Sequence, residues 1–415
     1  MEPTALPATS GKKFERTWAP RIWVGSDFFA WLRIMTKGGF QFSLPHAYIA
    51  ACTSMFSVGH SVLKCAQNVL YRRRIARTSI DKPPIFIIGH WRTGTTLLHE
   101  YMILDEQHNF PNTYQCMEPN HFLLTEKHFK KWFWFLLPER RPMDNMAMGW
   151  DHPQEDEFAL CLLGLPSPYL DIIFPNQAPL TPGALDLQGL KPSERRRWKE
   201  GFHRFIQTLT VNDSRRLVLK SPPHSCRIPT LLELYPDARF VHIVRNPYHV
   251  YPSTVKLWKT LAEKQGLQRP KNREVKERVL QTLPHLYQKI EEGKKLIPAN
   301  RFHELRYEDL TRDPHGEMRK VYEHLDLGGF DALAPRLSDY LAKHANYERN
   351  KFEYDPEERR EVTRRWGDVI RHYGYPVDEE ISTPQASSES EDKFLPFPNG
   401  EALPEKTSEQ HSQVA

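Results

Sequence analysis

The chain has 415 residues and a formal net charge of +5, with 39% hydrophobic and 12% aromatic residues. That is apolar material for one large domain with additions or for two domains, and so small a charge gives no reason to expect a nucleic-acid partner. The cysteines Cys52, Cys65, Cys116, Cys161 and Cys226 form no C-x-x-C pair, which argues against a zinc site or a disulfide framework and for a reducing compartment.

Residues 1–18 are polar with early prolines. They show no charged-then-apolar leader pattern, and no window approaches the roughly 18 continuous apolar residues of a membrane span. A cytoplasmic location is expected, with peripheral membrane contact left open. The charge is uneven: residues 1–80 hold eleven Lys/Arg against three acids, and residues 377–415 hold nine acids against two lysines. Residues 19–80 read as mostly helical. Trp23, Phe28, Phe29, Trp31 and Leu32 group together, and a second helical stretch runs from about Ala47 to Arg74, broken at Gly59 and ending in Tyr71-Arg-Arg-Arg74. Such a segment is either a helical cap whose basic end complements a helix C-terminus or an aromatic and basic face lying on an anionic membrane. Basic helix ends are common without a membrane role, so the cap is the expectation.

Next comes Pro84-Ile-Phe-Ile-Ile-Gly-His-Trp-Arg-Thr-Gly-Thr-Thr-Leu-Leu98. The apolar run predicts a strand, the glycines bound a loop, and the spacing from Thr95 to Leu104 predicts a helix. That order points backbone N–H groups and a helix N-terminus at a phosphate. The spacing is nearly that of a Walker A loop, but Thr95 stands where its lysine should be. A triphosphate would lose its main point charge there, whereas a smaller phosphate ligand could still sit in the amide cradle. Arg92 supplies a cation from another direction.

Residues 112–121 and the aromatic segment 128–137 follow, the latter read as core or as a lip around an apolar acceptor. Residues 151–163 predict a helix that Asp151 could cap, with Pro153 near its start and Glu155, Asp156 and Glu157 in its first turn. Helical spacing returns over 193–210. The second half alternates strands at 216–220, 239–244 and 302–306 with helices, as a parallel sheet requires. Helices are also expected at 333–345 and 357–373. The whole predicts an α/β fold with a central parallel sheet: a basic helical extension over 1–80, an α/β domain over 81–376, and a disordered acidic tail over 377–415. Strand tips face the ligand crevice in such sheets, which would bring Arg92, Lys220 and Arg245 to one edge.

The segment Trp91-Arg-Thr-Gly-Thr-Thr-Leu-Leu98 resembles the phosphosulfate-binding loop of the sulfotransferases, where a lysine or arginine precedes Ser-Gly-Thr-Thr. The family's fold is P-loop-like, in three layers. Its donor is 3′-phosphoadenosine 5′-phosphosulfate (PAPS), which needs no magnesium, so the missing Walker lysine fits. The resemblance implies that Arg92, Thr93, Gly94, Thr95 and Thr96 hold the phosphosulfate. Residues 240–253 are similar to a second family element, in which an arginine before Asn/Asp-Pro and a serine eight residues on hold the 3′-phosphate. Arg245 and Ser253 have that spacing. Lys220-Ser-Pro resembles a third element, whose lysine lies near the oxygen bridging sulfur and phosphorus. Arg306-Tyr-Glu-Asp-Leu310 resembles a fourth, taken as mainly structural. Residues 347–351 fall where the family closes over the nucleotide, which gives Asn350 and Lys351 as loose matches.

Sulfuryl transfer also needs a group to take the acceptor's proton. The cytosolic branch uses a histidine two residues after the lysine. Pro222 stands there, and His224 does not fit the spacing. The tyrosine-sulfating branch uses a glutamate some twenty residues past the loop arginine. Glu118, twenty-six past Arg92, is the first candidate, and Glu155 and Glu157 are the second. His90 and His99 read as structural or binding groups. The chain thus looks closer to the bacterial, carbohydrate and tyrosyl-protein branches than to the cytosolic one. The implied catalytic set is Glu118, Arg92, Lys220 and Glu155, acting without metal on a hydroxyl or amine of a small molecule, carbohydrate or lipid. The alternatives are a P-loop kinase, which would need magnesium, and a non-catalytic membrane-associated protein retaining the nucleotide fold.

Overall fold

The apolar runs pair as parallel strands. In the computed structural model, which describes residues 21–132, 149–344 and 355–377, the strands are β1 (Ile85–Ile88), β2 (His108–Asn109), β3 (Arg216–Lys220), β4 (Arg239–Val244) and β5 (Phe302–Arg306). Their order is β2-β3-β1-β4-β5, all parallel. β1 is central, with Ile87 opposite Lys220 on one side and Ile88 opposite His242 on the other. β2 was not read from the sequence. It has two residues, pairs with β3, and carries no apolar alternation.

Side chains alternate across the sheet, yet all of β1 is buried, because helices cover both faces. Phe86, Ile88, Leu217, Leu219 and Phe240 pack on one face. That layer includes α8 (Pro192–Thr210), α9 (Ile228–Leu234), α10 (Pro247–Gln265), α11 (Val275–Lys294) and α15 (Pro356–His372). Ile85, Ile87, Val218, Val241 and Ile243 pack on the other. There they meet α3 (Thr95–Met102), α12 (Tyr307–Arg312), α13 (Pro314–His324) and α14 (Phe330–Lys343). Short helices α4 (Thr113–Met117), α5 (Phe122–Trp132), α6 (Asp156–Leu162) and α7 (Leu170–Ile173) fill the connection from β2 to α8. The expected three-layer α/β architecture is what forms.

The N-terminal segment is built into this body. Asp27 caps α1 (Phe28–Lys37), accepting from the amides of Phe29 and Ala30. Trp23 is fully buried and donates to the carbonyl of Gln265, while Trp31 donates to Ser54. All described residues fall in one compact unit that ends at Val377. The expected break at Gly59 does not occur: α2 (Ala47–Arg77) is continuous for 31 residues. One glycine costs a helix only about 1 kcal/mol relative to alanine, and packing on both sides of it exceeds that. No helix among the described residues is long and apolar enough to cross a membrane. The expected tail, the loop with Asn350 and Lys351, and positions 133–137 lie outside the described residues.

Candidate active site

The loop after β1 takes the cradle shape its glycines suggest. Arg92 has φ of 72° and Gly94 of 103°, both left-handed. A Cβ on Gly94 would lie 2.3 Å from the ring of Tyr307, so only glycine fits. No side chain caps α3, which leaves its first-turn amides for a ligand. Thr93 turns inward, with its amide and hydroxyl both donating to the carbonyl of His90. Thr95 is buried and Thr96 half-buried at the helix start.

The distant motif residues meet at this loop. Arg92 Nε donates to Ser253 Oγ at 2.8 Å, and Arg245 Nη1 donates to the Arg92 carbonyl at 3.2 Å. The Arg245 guanidinium lies over the Tyr307 ring, 4.3 Å from its centroid. The Tyr-Glu-Asp-Leu element therefore braces both motifs. Tyr307 backs Gly94 and Arg245, while Glu308 accepts from the Asn246 amide and the Tyr375 hydroxyl.

Three consecutive acids engage Lys220, His224 and Arg227. Glu155 Oε1 accepts from Lys220 Nζ at 2.7 Å. Asp156 Oδ2 lies 2.7 Å from His224 Nε2, both fully buried, and Oδ1 accepts from Ser221. Glu157 pairs with Arg227, also fully buried. Burial alone would raise the Asp156 pKa, but His224 and Ser221 together carry it below the ordinary value. Of the three, Glu155 is the one beside Lys220 at the strand tip. Its other oxygen accepts from the Tyr169 hydroxyl, which in turn accepts from Trp91 Nε1 at 3.1 Å. Burial and the Glu155 charge push the Tyr169 phenol well above its usual pKa, so it stays protonated and donates. A polar chain thus runs from the phosphate loop through Tyr169 and Glu155 to Lys220. Sequence reasoning missed Tyr169 and Trp91, which look like ordinary core aromatics.

Glu118 lies beside two histidines. Its Oε2 lies 3.2 Å from His60 Nδ1 on α2 and 3.1 Å from His121 Nε2. The two ring nitrogens are 2.7 Å apart in a hydrogen bond. Among the described residues this is the group with metal-ligand composition, its three atoms within 4.8 Å of one another. Burial lowers the His60 pKa. His90 is buried beneath the loop, donating from Nδ1 to the Trp91 carbonyl, and burial lowers its pKa to about 4. His99 is buried against β3, with Nε2 at the Val218 carbonyl.

The Sulfotransferase family model matches residues 83–332, a span that holds the loop, Glu155, Lys220, Arg245 and Ser253. The chain belongs to the sulfotransferase family. It is 45% identical over 371 residues to the omega-hydroxy-beta-dihydromenaquinone-9 sulfotransferase Stf3 of Mycobacterium bovis and of Mycobacterium tuberculosis, covering 89% of this chain and 95% of each relative. Two solved structures share its fold. Sulfotransferase STF9 from Mycobacterium avium aligns with a TM-score of 0.64 at 19% identity, covering 83% of this chain and 90% of that one. STF1 from Mycobacterium tuberculosis aligns with 0.53 at 19% identity, covering 75% and 85%. The protein is therefore an enzyme, a sulfotransferase with bacterial relatives.

Proposed function

We propose that this sulfotransferase moves the sulfuryl group of PAPS to a hydroxyl of a lipid, with Glu155 as the base. The observation that carries the reading is the 2.7 Å contact of Glu155 with Lys220 at the tip of β3. The donor set suits a nucleotide with separate anionic groups. Loop amides suit one end, Arg245 and Ser253, joined there by the Arg92 side chain, suit a 3′-phosphate, and Arg245 rather than an acidic metal ligand follows β4. When bound, the nucleotide supplies the sulfuryl group and a phosphate leaving group. Glu155 takes the acceptor O–H proton as that oxygen bonds to sulfur and the sulfur–oxygen bridge breaks. Lys220 and Arg92 offset the charge gathering on the departing adenosine 3′,5′-bisphosphate, an electrostatic contribution to catalysis.

The lipid acceptor rests on the relative, whose name specifies a hydroxylated menaquinone derivative. Glu155 displaces Glu118 as the first choice of base, because Glu155 contacts Lys220 at the tip of β3 whereas Glu118 lies beside His60 of α2 and His121. The test compares Glu155→Gln with Glu118→Gln. Glu155→Gln should keep its affinity for adenosine 3′,5′-bisphosphate by calorimetry and lose roughly 10²–10⁴-fold in turnover on an omega-hydroxylated menaquinone. Glu118→Gln should stay within a few-fold of wild type. The opposite result would return the role to Glu118. Binding of the bisphosphate should be unaffected by a chelator, whereas preference for Mg-ATP would favour a kinase.

A further inference from the structure

The helix α2 is inside out. Its buried positions are Ile49 and Ile75 near the two ends and, between them, Ala50, Thr53, Ser57 and Gln67, small or polar side chains. Its outward positions carry the large apolar ones: Met55 is 64% exposed, Val62 65%, Val69 84% and Leu70 67%, with Phe56 and Val58 also exposed. An amphipathic helix on a globular body does the reverse. The adjoining α1 adds Phe29, 70% exposed. Among the described residues, every exposed large hydrophobic side chain except Leu296 lies between positions 28 and 70. Along α2, positions 48–70 span about 33 Å. Apolar surface concentrated in this way marks an interaction face, since scattered single residues are the norm.

The charges say what covers it. Residues 28–80 contain no Asp or Glu, against seven Lys/Arg: Arg33, Lys37, Lys64, Arg72, Arg73, Arg74 and Arg77. Lys64 and Arg74 are engaged within the protein, by Asp27 and by the Val211 carbonyl. Arg72, Arg73 and Arg77 are exposed at the end of the apolar stripe. A second copy would bring another acid-free face to these guanidiniums. A bilayer with anionic headgroups offers both an apolar layer for the stripe and negative charge for the arginines. We propose that α1 and α2 form a face on which the enzyme lies in the surface of an anionic lipid bilayer, with α2 in the plane of the interface. The proposal deepens the lipid-acceptor reading and rests on it for its purpose: an acceptor dissolved in the bilayer must be met at the surface.

The test is co-sedimentation of the full chain with vesicles of equimolar phosphatidylglycerol and phosphatidylcholine, and with vesicles of phosphatidylcholine alone. Wild type should pellet with the former and much less with the latter. Phe56→Glu with Val62→Glu should cut partitioning at least about tenfold on both kinds of vesicle. Arg72→Glu with Arg73→Glu should cut it by at least about tenfold on the anionic vesicles and remove the preference for them. All four positions are exposed, so both variants should keep the wild-type circular dichroism spectrum and bind adenosine 3′,5′-bisphosphate as wild type does. Wild type left in the supernatant, or folded variants that pellet undiminished, would overturn the proposal. So would a vesicle-free dimer in sedimentation velocity that Phe56→Glu with Val62→Glu abolishes, since that gives the face to a second copy. Pelleting without bisphosphate binding would support the face while refuting the nucleotide reading.

Discussion

On the proposed reading, Arg245 would do two jobs with one guanidinium. It holds the Arg92 carbonyl, and with it the left-handed turn of the loop, and it would also take the 3′-phosphate proposed above. Arg245→Ala should therefore weaken adenosine 3′,5′-bisphosphate by roughly 10- to 100-fold in calorimetry, the range for a charge-assisted hydrogen bond. Arg245→Lys should restore little, because a point charge cannot hold a carbonyl and a phosphate in one plane. His90 makes a second prediction. Its folded pKa of about 4 lies below the ordinary 6.5, so the unfolded chain takes up the proton first as pH falls. The stabilisation is complete above about pH 6.5 and is lost progressively down to about pH 4, by roughly 3 kcal/mol in all. Urea midpoints at neutral pH and near pH 5 should show this loss in wild type and much less of it in His90→Gln. Arg92, Lys220, Arg245 and Ser253 were legible because each follows an apolar run at a fixed spacing, and strand tips in a parallel sheet share an edge. The nearness of Glu155 to Lys220 was not. Distance along the chain from Arg92 favoured Glu118, whereas proximity to Lys220 depends on how α6 docks, which no local pattern encodes.

The start of α6 is clamped rather than merely capped. Macrodipole chemistry explains acids in a first helical turn, and beyond it the sequence offered Glu157, with Glu155, as a second candidate for the base and nothing further for Asp156. In the fold, their partners His224 and Arg227 lie on the stretch that leaves β3, and the two buried pairs fix where Glu155 stands against Lys220. Breaking one partner of a buried pair leaves the other unsatisfied. Asp156→Asn should thus cost about 3–5 kcal/mol at neutral pH in chemical denaturation. The sign of its pH dependence follows from the depressed folded pKa: the stabilisation is present above the ordinary carboxylate value and lost as pH falls through the folded one. The gap between wild type and Asp156→Asn should accordingly narrow below about pH 4. Element identity was easier to read than element extent. Four strands fell where their apolar runs are, because a sheet covered on both faces demands such runs. β2 escaped notice for want of length, and α2 was expected to break at Gly59 because a local penalty was given more weight than tertiary packing.

The helical extension is part of the body that holds the site. Trp23, Trp31, Ile34 and Met35 are buried in the same core as Phe86 and Ile88 of β1. Burial of each such side chain contributes roughly 1.5–3 kcal/mol, so their sum rivals the whole net stability of an ordinary domain. A chain that starts at residue 81 should therefore fail to show a cooperative thermal transition, and a calorimetric scan with one sharp peak would refute that. The strand order has a further outcome for how the molecule is made. β1 takes its two neighbours from residues 216–220 and 239–244, so the phosphate loop has no walls until translation has passed Val244. A nascent chain still on the ribosome before that point carries Ile85-Phe-Ile-Ile88 unpaired on both edges, and such long-range pairing makes folding slow and exposed to aggregation. Biosynthesis of this enzyme should accordingly lean on chaperones until the fourth strand has left the exit tunnel.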